Sequence, residues 1–167
     1  MMGKISISLR KSAWLLALLI ITSALPASAQ EHEPYEFVRT EDGSGYTIYP
    51  KWDNSYEGAL IVPAIRESDG LPVVGVDGFS YNERLLGIHF EEGSQVKYIG
   101  SFQGCTGIEF CNLPESVETL GDYAFNGCTM LRELTLNKNL KNIGISCFEY
   151  CTSLESITLP KSLKVIR

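Results

Sequence analysis

Phenylalanine recurs at a fixed interval through the second half of this chain, and cysteine follows the same interval. Successive members are 23 residues apart in two series: Phe79, Phe102, Phe125 and Phe148, and Cys105, Cys128 and Cys151. With 7 phenylalanines in 167 residues, three further matches at the dictated places would arise by chance roughly once in ten thousand trials, and such self-similarity marks stacked repeats. The chain is therefore expected to form a solenoid in which each repeat lies on the one before it.

Each repeat contains two different local periods. Apolar and polar residues alternate in Leu134-Thr135-Leu136 and in Ile157-Thr158-Leu159, and this alternation predicts β-strands. Phe125, Cys128 and Leu131 are instead three residues apart, which predicts a short helical or 3₁₀ turn. The two patterns together predict a solenoid with parallel β-strands on one face and short helical or 3₁₀ turns between them.

A glycine follows an apolar residue in several repeats, at Gly100, Gly121 and Gly144. A tight bend that a side chain would obstruct is the expected role of this position. The repeat of Phe102 has two residues fewer between glycine and phenylalanine, while its segment 91–96 is two residues longer than the counterparts. The two changes cancel, so we expect a local bulge near residues 91–101 and a phenylalanine column that stays in register.

One complete repeat runs from Val117 to Cys128 and is followed by Leu131, Leu134 and Leu136. This motif resembles the BspA-like leucine-rich repeat of bacterial surface antigens. The resemblance covers residues 71–167, and residues 35–70 resemble the small β region that often precedes such repeats. It implies a leucine-rich repeat solenoid preceded by a small β cap. It also implies a secreted or surface-exposed protein that adheres to other proteins and has no catalytic residues.

Residues 1–29 have the pattern of a secretory signal peptide. Basic residues up to Lys11 precede an apolar run, and Ala27 and Ala29 provide small residues for cleavage before Gln30. The run has about a dozen residues, fewer than the roughly 20 that a membrane-spanning helix needs. An uncleaved N-terminal anchor is the alternative. No second apolar run follows, so we expect no membrane span after cleavage, and a location in the medium, on the cell surface or in the periplasm.

Three segments are predicted: the signal peptide 1–29, an N-terminal β cap over 30–70, and leucine-rich repeats over 71–167. In the second segment, a Gly-containing turn at residues 41–45 lies between two β-prone stretches, which is typical of a hairpin. The repeats stop at Arg167 without a polar cap, so their C-terminal end is expected to be uncapped. A gene fragment, a naturally short copy and end-to-end self-association are the three interpretations of that end.

Acidic residues outnumber basic ones, and this excludes one class of partner. The formal charge is −6, from 14 Lys and Arg and 20 Asp and Glu. Residues 1–29 hold three of the basic residues and none of the acidic ones, which leaves 11 basic and 20 acidic residues, a charge of −9, in the mature chain. Such a chain repels phosphate backbones, so nucleic acid is not an expected partner.

Five cysteines in an exported chain suggest disulfides. Stacking would set the Cβ atoms of Cys105, Cys128 and Cys151 about 4.8 Å apart, beyond the roughly 3.5 to 4.5 Å of a disulfide, so we expect free buried thiols. The same stacking spreads possible ligands along the axis, so no metal or other cofactor is expected. His32 and His89 have no nucleophile or orienting carboxylate at a recognisable spacing. The chain is therefore not expected to be an enzyme.

The expected binding site is the set of strand side chains that point away from the core. Stacked strands present these side chains on a rigid grid that loses little entropy on association. The predicted members are His89, Phe110, Asn112, Glu133, Thr135, Ser156 and Thr158. Phe110 is an aromatic residue among polar ones, and two interpretations stay open: it anchors a partner, or it covers the bulge near residues 91–101.

These features predict an exported, non-catalytic leucine-rich repeat protein that mediates protein–protein binding or adhesion at the bacterial surface. The expected partner is a protein on a host cell or a neighbouring cell. The alternative is a structural spacer or a truncated remnant of a larger surface protein.

Overall fold

The computed structural model describes residues 35–51, 54 and 56–167, and the predicted signal peptide lies outside them. This described part contains eleven strands and no helix, and so no helix that could cross a membrane. The strands are β1 (Tyr35–Arg39), β2 (Tyr46–Pro50), β3 (Gly58–Val62), β4 (Val73–Val76), β5 (Leu85–Phe90), β6 (Tyr98–Ile99), β7 (Phe110–Asn112), β8 (Thr119–Leu120), β9 (Glu133–Thr135), β10 (Asn142–Ile143) and β11 (Val165–Ile166).

The described strands form two sheets. Sheet A has seven strands in the order β1-β2-β4-β6-β8-β10-β11, and sheet B has four in the order β3-β5-β7-β9. β1 and β2 are antiparallel, and the other pairs of described strands are parallel. Each coil of the solenoid thus consists of a sheet B strand, a loop, a sheet A strand and a turn segment that returns to sheet B. The sequence predicted strands on one face; sheet A was not predicted, because its two-residue strands are too short to show alternation.

Register pairs keep the apolar columns in line from coil to coil. In sheet A, Ile99 pairs with Leu120, and Leu120 pairs with Ile143. In sheet B, Ile88 pairs with Cys111. All five side chains are buried, and burial of apolar surface is worth about 25 cal/mol per Å². The stacking of near-identical coils therefore supplies the core that one coil could not bury alone.

The phenylalanines at the repeat interval stack on one another inside the solenoid. The ring centroids of Phe79, Phe102, Phe125 and Phe148 are successively 5.4, 5.9 and 6.0 Å apart, with interplanar angles of 12°, 9° and 10°. The first three rings are fully buried and Phe148 is partly buried. The predicted common interior of the repeats is confirmed.

The segment after each phenylalanine consists of β-turns, and the prediction of a short helical or 3₁₀ turn is wrong. The N–H of Cys128 donates to the carbonyl of Phe125 at 3.1 Å, which closes one such turn. The N–H of Gly127, however, donates to the carbonyl of Glu149 in the next coil at 2.8 Å, and the N–H of Phe125 also donates to the next coil. A helix would use these N–H groups internally. Here these N–H groups form hydrogen bonds with the next coil instead.

The last coil departs from the prediction on its sheet B side. Ile157-Thr158-Leu159 was predicted to be a strand, but residues 157–159 form none, and β9 is the last sheet B strand of the described chain. Alternation is present there, but a strand also needs backbone pairing, and β9 pairs only with β7. On the sheet A side, β11 pairs regularly with β10.

Gly100, Gly121 and Gly144 allow close approach between coils, and the chain turns at Gly121, where the N–H of Ala124 donates to the Gly121 carbonyl at 3.3 Å. None of the three has a positive φ. A Cβ on Gly121 would lie 2.6 Å from the hydroxyl oxygen of Tyr98, and a Cβ on Gly100 would overlap the carboxylate of Asp77. The absent side chain therefore makes room for a group from the preceding coil.

The expected bulge near residues 91–101 does not occur. β6 pairs with β4 and β8 without a register shift. The additional residues lie in a turn, where the N–H of Ser94 donates to the carbonyl of Glu91 at 3.1 Å. A longer loop costs little entropy, so it absorbs the extra length outside the ladder. Register shifts occur earlier, at two places in β2 and β3: Tyr46/Thr47 and Gly58/Ala59.

An antiparallel hairpin, β1 and β2, forms the first edge of sheet A. The guanidinium carbon of Arg66 lies 5.5 Å from the ring centroid of Phe37 and 4.9 Å from that of Tyr46. Arg66 donates to the Tyr46 hydroxyl at 2.8 Å, and this hydroxyl donates to Asp69 at 2.6 Å. The second bond holds the pKa of Asp69 below its usual value. These contacts attach the hairpin to the loop that precedes β4.

Candidate binding site

The outer face of sheet B carries the side chains that alternate with the buried columns, and we call it the sheet B face. Register pairs set Phe110 beside Glu133 and Asn112 beside Thr135, with His89 on the adjacent strand β5. Asn112, Glu133 and Thr135 are exposed, and His89 and Phe110 are half-buried. The structure therefore brings five of the predicted site residues together. The other two, Ser156 and Thr158, are exposed but lie outside the hydrogen-bonded sheet.

Phe110 covers Gly87 of the neighbouring strand. The two residues are register partners, and a Cβ on Gly87 would lie 2.5 Å from Cζ and 2.6 Å from Cε1 of the ring. The ring thus occupies the space of a missing side chain and buries the backbone of β5 at that point. The interpretation that Phe110 covers a bulge near residues 91–101 is wrong, because the residue that it covers is Gly87.

Sequence reasoning missed two members of this face, Ala59 and Ile61 of β3. They pair with Gly87 and His89 of β5, so they extend the sheet B face by one strand. The signal was present in the alternation of β3, where Leu60 and Val62 are buried. Because the predicted repeats began at residue 71, this alternation was assigned to the cap.

A row of charged side chains lies along the loops beside sheet A. Nζ of Lys141 is 2.6 Å from Oε2 of Glu118, and this hydrogen bond, together with the lysine charge, lowers the pKa of Glu118. Lys97 on the preceding coil and Lys164 two coils further on act on the same carboxylate. The side chains of the close pair are 40% and 44% exposed, so solvent screens the attraction and it adds little to stability.

The five cysteines are free thiols. Those at the repeat interval donate to carbonyl oxygens of the preceding coil, with Sγ to O distances of 2.9 Å from Cys105, 3.4 Å from Cys128 and 3.0 Å from Cys151. Burial raises the pKa of Cys105 and of Cys151 to about 11 and that of Cys147 to about 12. A protonated thiol is a poor nucleophile and a poor metal ligand.

No cluster of three or more His, Cys, Asp and Glu that could hold a metal ion occurs in the part of the chain that the structure describes. His89 lies on the sheet B face, as Asn112 does, and it is the register partner of Ile61. The arrangement on this face is a grid of short polar side chains around one aromatic ring. Such a grid is suited to contact with a macromolecular surface.

Each coil adds one parallel strand to a sheet, and the coils enclose an aliphatic and aromatic interior. This architecture defines the chain as a leucine-rich repeat solenoid. The sequence profile of the BspA type Leucine rich repeat region matches residues 57–167 in 6 copies. The chain therefore belongs to the BspA-type leucine-rich repeat family.

Solved structures of bacterial proteins are similar to this chain. The T. pallidum leucine-rich repeat protein TpLRR is 28% identical with a TM-score of 0.70, and the match covers 84% of this chain and 62% of that one. A leucine-rich cell surface protein from Faecalibacterium prausnitzii is 20% identical with a TM-score of 0.64, over 79% of this chain and 36% of that one. A leucine-rich repeat protein from Bacteroides ovatus is 21% identical with a TM-score of 0.63, over 80% and 42%.

The last two similarities concern the fold alone. The chain spans less than two thirds of the length of each of these three proteins. No curated protein matches the chain.

Proposed function

We propose that this chain is an exported, non-catalytic leucine-rich repeat protein that binds another protein through the sheet B face and mediates adhesion at the bacterial surface. The observation that carries the proposal is the placement of five polar or aromatic side chains on three hydrogen-bonded parallel strands: His89, Phe110, Asn112, Glu133 and Thr135. Membership in the BspA-type family supports a location at the surface or outside the cell. The composition of residues 1–29 supports export.

The sheet B face is held in shape before a partner arrives. β5 pairs with β3 on one side and β7 on the other, and β7 pairs with β5 and β9, so their backbones are fixed on both edges. Binding then costs the rotamer freedom of side chains but little backbone entropy. Asn112 and Thr135 have short side chains, which have little rotamer freedom to lose.

The chemistry of this face fits a protein surface. Ile61 and Phe110 contribute apolar area, and Asn112, Glu133 and Thr135 provide hydrogen-bonding groups beside them. An apolar centre with polar neighbours is typical of protein–protein interfaces. A protein of a host cell or a neighbouring cell is the partner that we propose.

The proposal is tested with a partner captured from purified cell-surface proteins and then measured as a pure protein by surface plasmon resonance. Glu133→Lys should weaken its binding about tenfold or more, because it reverses the charge of an exposed residue of the sheet B face. Glu149→Lys makes the same charge change on an exposed residue of the turn segment and should leave the affinity unchanged. Equal affinity of the Glu133→Lys variant and the natural chain would contradict the proposal.

A structural spacer within a larger surface protein is the second candidate. The observation that favours it is the greater length of the matched proteins, of which the chain covers at most 62%. The intact mass of the native product from its cells tests this: a mass well above that of 167 residues supports the spacer, and a mass at or below it contradicts the spacer.

End-to-end self-association is a related proposal. Leu159 and Ile166 of the last coil are 49% and 59% exposed, whereas their counterparts Leu113 and Ile143, each followed by a further coil, are buried. A second copy that covers them would appear as a concentration-dependent dimer in sedimentation velocity. A monomer at all concentrations would contradict self-association.

A further inference from the structure

A groove of about 340 Å³ lies on the outer side of sheet A, away from the sheet B face. It is lined by residues of the strands β8 and β10 and by Gly121 and Gly144, which follow them. Tyr98 closes one end, since its hydroxyl oxygen lies 2.6 Å from the place that a Cβ of Gly121 would take. Arg167 lines the groove three coils further on. The groove therefore runs along the solenoid axis.

The polar groups in the groove have hydrogen-bonding capacity left over. Asn142 Nδ2 donates to Thr119 Oγ1 at 3.2 Å, which leaves the Asn142 carbonyl as an acceptor and the Thr119 hydroxyl as a donor. Asp122 Oδ1 accepts the N–H of Ile145 at 2.8 Å, which leaves Oδ2 as an acceptor. These groups lie on successive coils, so they form a short row along the groove.

The hydroxyl of Tyr98 belongs to the same row. No other residue in the described part of the chain forms a hydrogen bond with it. Burial, with the nearby carboxylates of Asp77 and Asp122, raises the pKa of Tyr98, so the hydroxyl stays protonated and can donate. The ring is 39% exposed, which leaves part of an aromatic surface open at the end of the groove.

We propose that this groove is a second binding site and that its ligand is a neutral oligosaccharide. Sugar hydroxyls both donate and accept hydrogen bonds, so they match a row in which donors and acceptors are both free. The Tyr98 ring offers an apolar surface to the C–H face of a sugar ring. Asp122 and Arg167 line the groove with one charge of each sign, which favours a neutral ligand over a phosphorylated one. This site is separate from the proposed protein-binding face.

The experiment titrates the purified full chain with cellotetraose, maltotetraose and mannotetraose, and separately with trilysine, while ¹H–¹⁵N spectra are recorded. At least one saccharide should shift the amide signals of Gly121 and Gly144, and trilysine should not. Three outcomes would overturn the proposal: no shift with any saccharide, shifts at these glycines with trilysine alone, or saccharide shifts confined to the sheet B face.

Variants separate the groove from the rest of the surface. Asn142→Leu and Tyr98→Leu should each weaken saccharide binding about tenfold. Asn139→Leu in the loop after β9 and Tyr81→Leu in a turn segment make the same chemical changes at exposed positions outside both proposed sites and should have no effect. If Asn142→Leu does not fold, Thr119→Val removes a hydroxyl at constant shape and should give the same loss. Equal losses in the control variants would overturn the assignment to the groove.

Discussion

The ring of Phe110 fills the space beside Gly87 that a side chain of that residue would occupy, and the two residues are register partners on β7 and β5. Glycine alone weakens a strand, because it leaves the backbone exposed and has no side chain to pack. An aromatic partner across the strands restores the cover. The pair therefore fixes the one aromatic ring among the predicted site residues in a defined orientation.

A double-mutant cycle tests this pairing. Gly87→Ala should destabilise the natural chain by about 1 to 3 kcal/mol, because the new Cβ forces the ring to move. In a Phe110→Ala background the same change should cost nothing or stabilise the strand. Urea unfolding followed by circular dichroism measures both. Equal costs in the two backgrounds would mean that the residues do not interact.

Phe125→Ala should lower the free energy of unfolding by about 3 to 5 kcal/mol, because it leaves a cavity between two stacked rings. The rings of Phe102 and Phe148 lie 5.9 and 6.0 Å from that of Phe125. Phe148→Ala serves as the comparison and should cost less, since Phe148 is only partly buried. Chemical denaturation of both variants measures the difference, and a near-zero cost for Phe125→Ala would show that the column is not a core.

Alkylation should distinguish the folded thiols from unfolded ones. With iodoacetamide near neutral pH, the folded chain should react slowly and first at Cys151, the least buried of the five cysteines. In urea all five should react. Intact mass after timed alkylation counts the modified thiols. A chain that gains fewer than five groups in urea without reductant would contain a disulfide, contrary to this expectation.

Alkaline pH should destabilise the protein. Unfolded cysteine ionises near the ordinary pKa of 9.0, whereas burial keeps Cys105 protonated up to about 11. Above pH 9 the unfolded state therefore binds fewer protons than the native state, so the free energy of unfolding falls as pH rises. The stabilisation is complete below the unfolded pKa and is lost as pH rises through the folded one.

Urea unfolding in reductant between about pH 8 and pH 10.5 measures this slope. Cys105→Ala removes one of the buried thiols and should flatten the profile without reversing it. Stability that stays constant or rises over this interval would contradict the burial of the thiols.

Arg66→Lys should loosen the hairpin β1–β2. Lysine keeps the charge but loses the planar group that stacks on Phe37 and Tyr46, at a cost of about 1 kcal/mol. Arg132→Lys, at an exposed position, is the control and should change nothing. Hydrogen exchange at the amides of β2 should accelerate in the Arg66→Lys variant alone; unchanged exchange would mean that the stacking does not hold the hairpin.

Much of the interior could be predicted from the sequence, because identical residue types at a fixed interval must share one environment when coils stack. The Phe79 to Phe148 series and the paired columns of Ile99 and Ile88 follow that rule. The spacing of residues within one coil predicted the local backbone conformation less well. Phe125 and Cys128 are three residues apart as in a 3₁₀ turn, yet the N–H groups between them alternate between local and inter-coil acceptors.

The repeat interval, the apolar columns and the exposed strand residues were thus determined by the sequence alone, since they depend on which side chains avoid water. The tertiary structure decided which groups meet across coils: Phe110 on Gly87, Tyr98 on Gly121, and the N–H of Gly127 on Glu149. Those partners are more than 20 residues apart, and no local pattern specifies them. Their contacts form only when the backbones come within hydrogen-bonding distance, and this is why the second sheet and its groove were visible only in the folded chain.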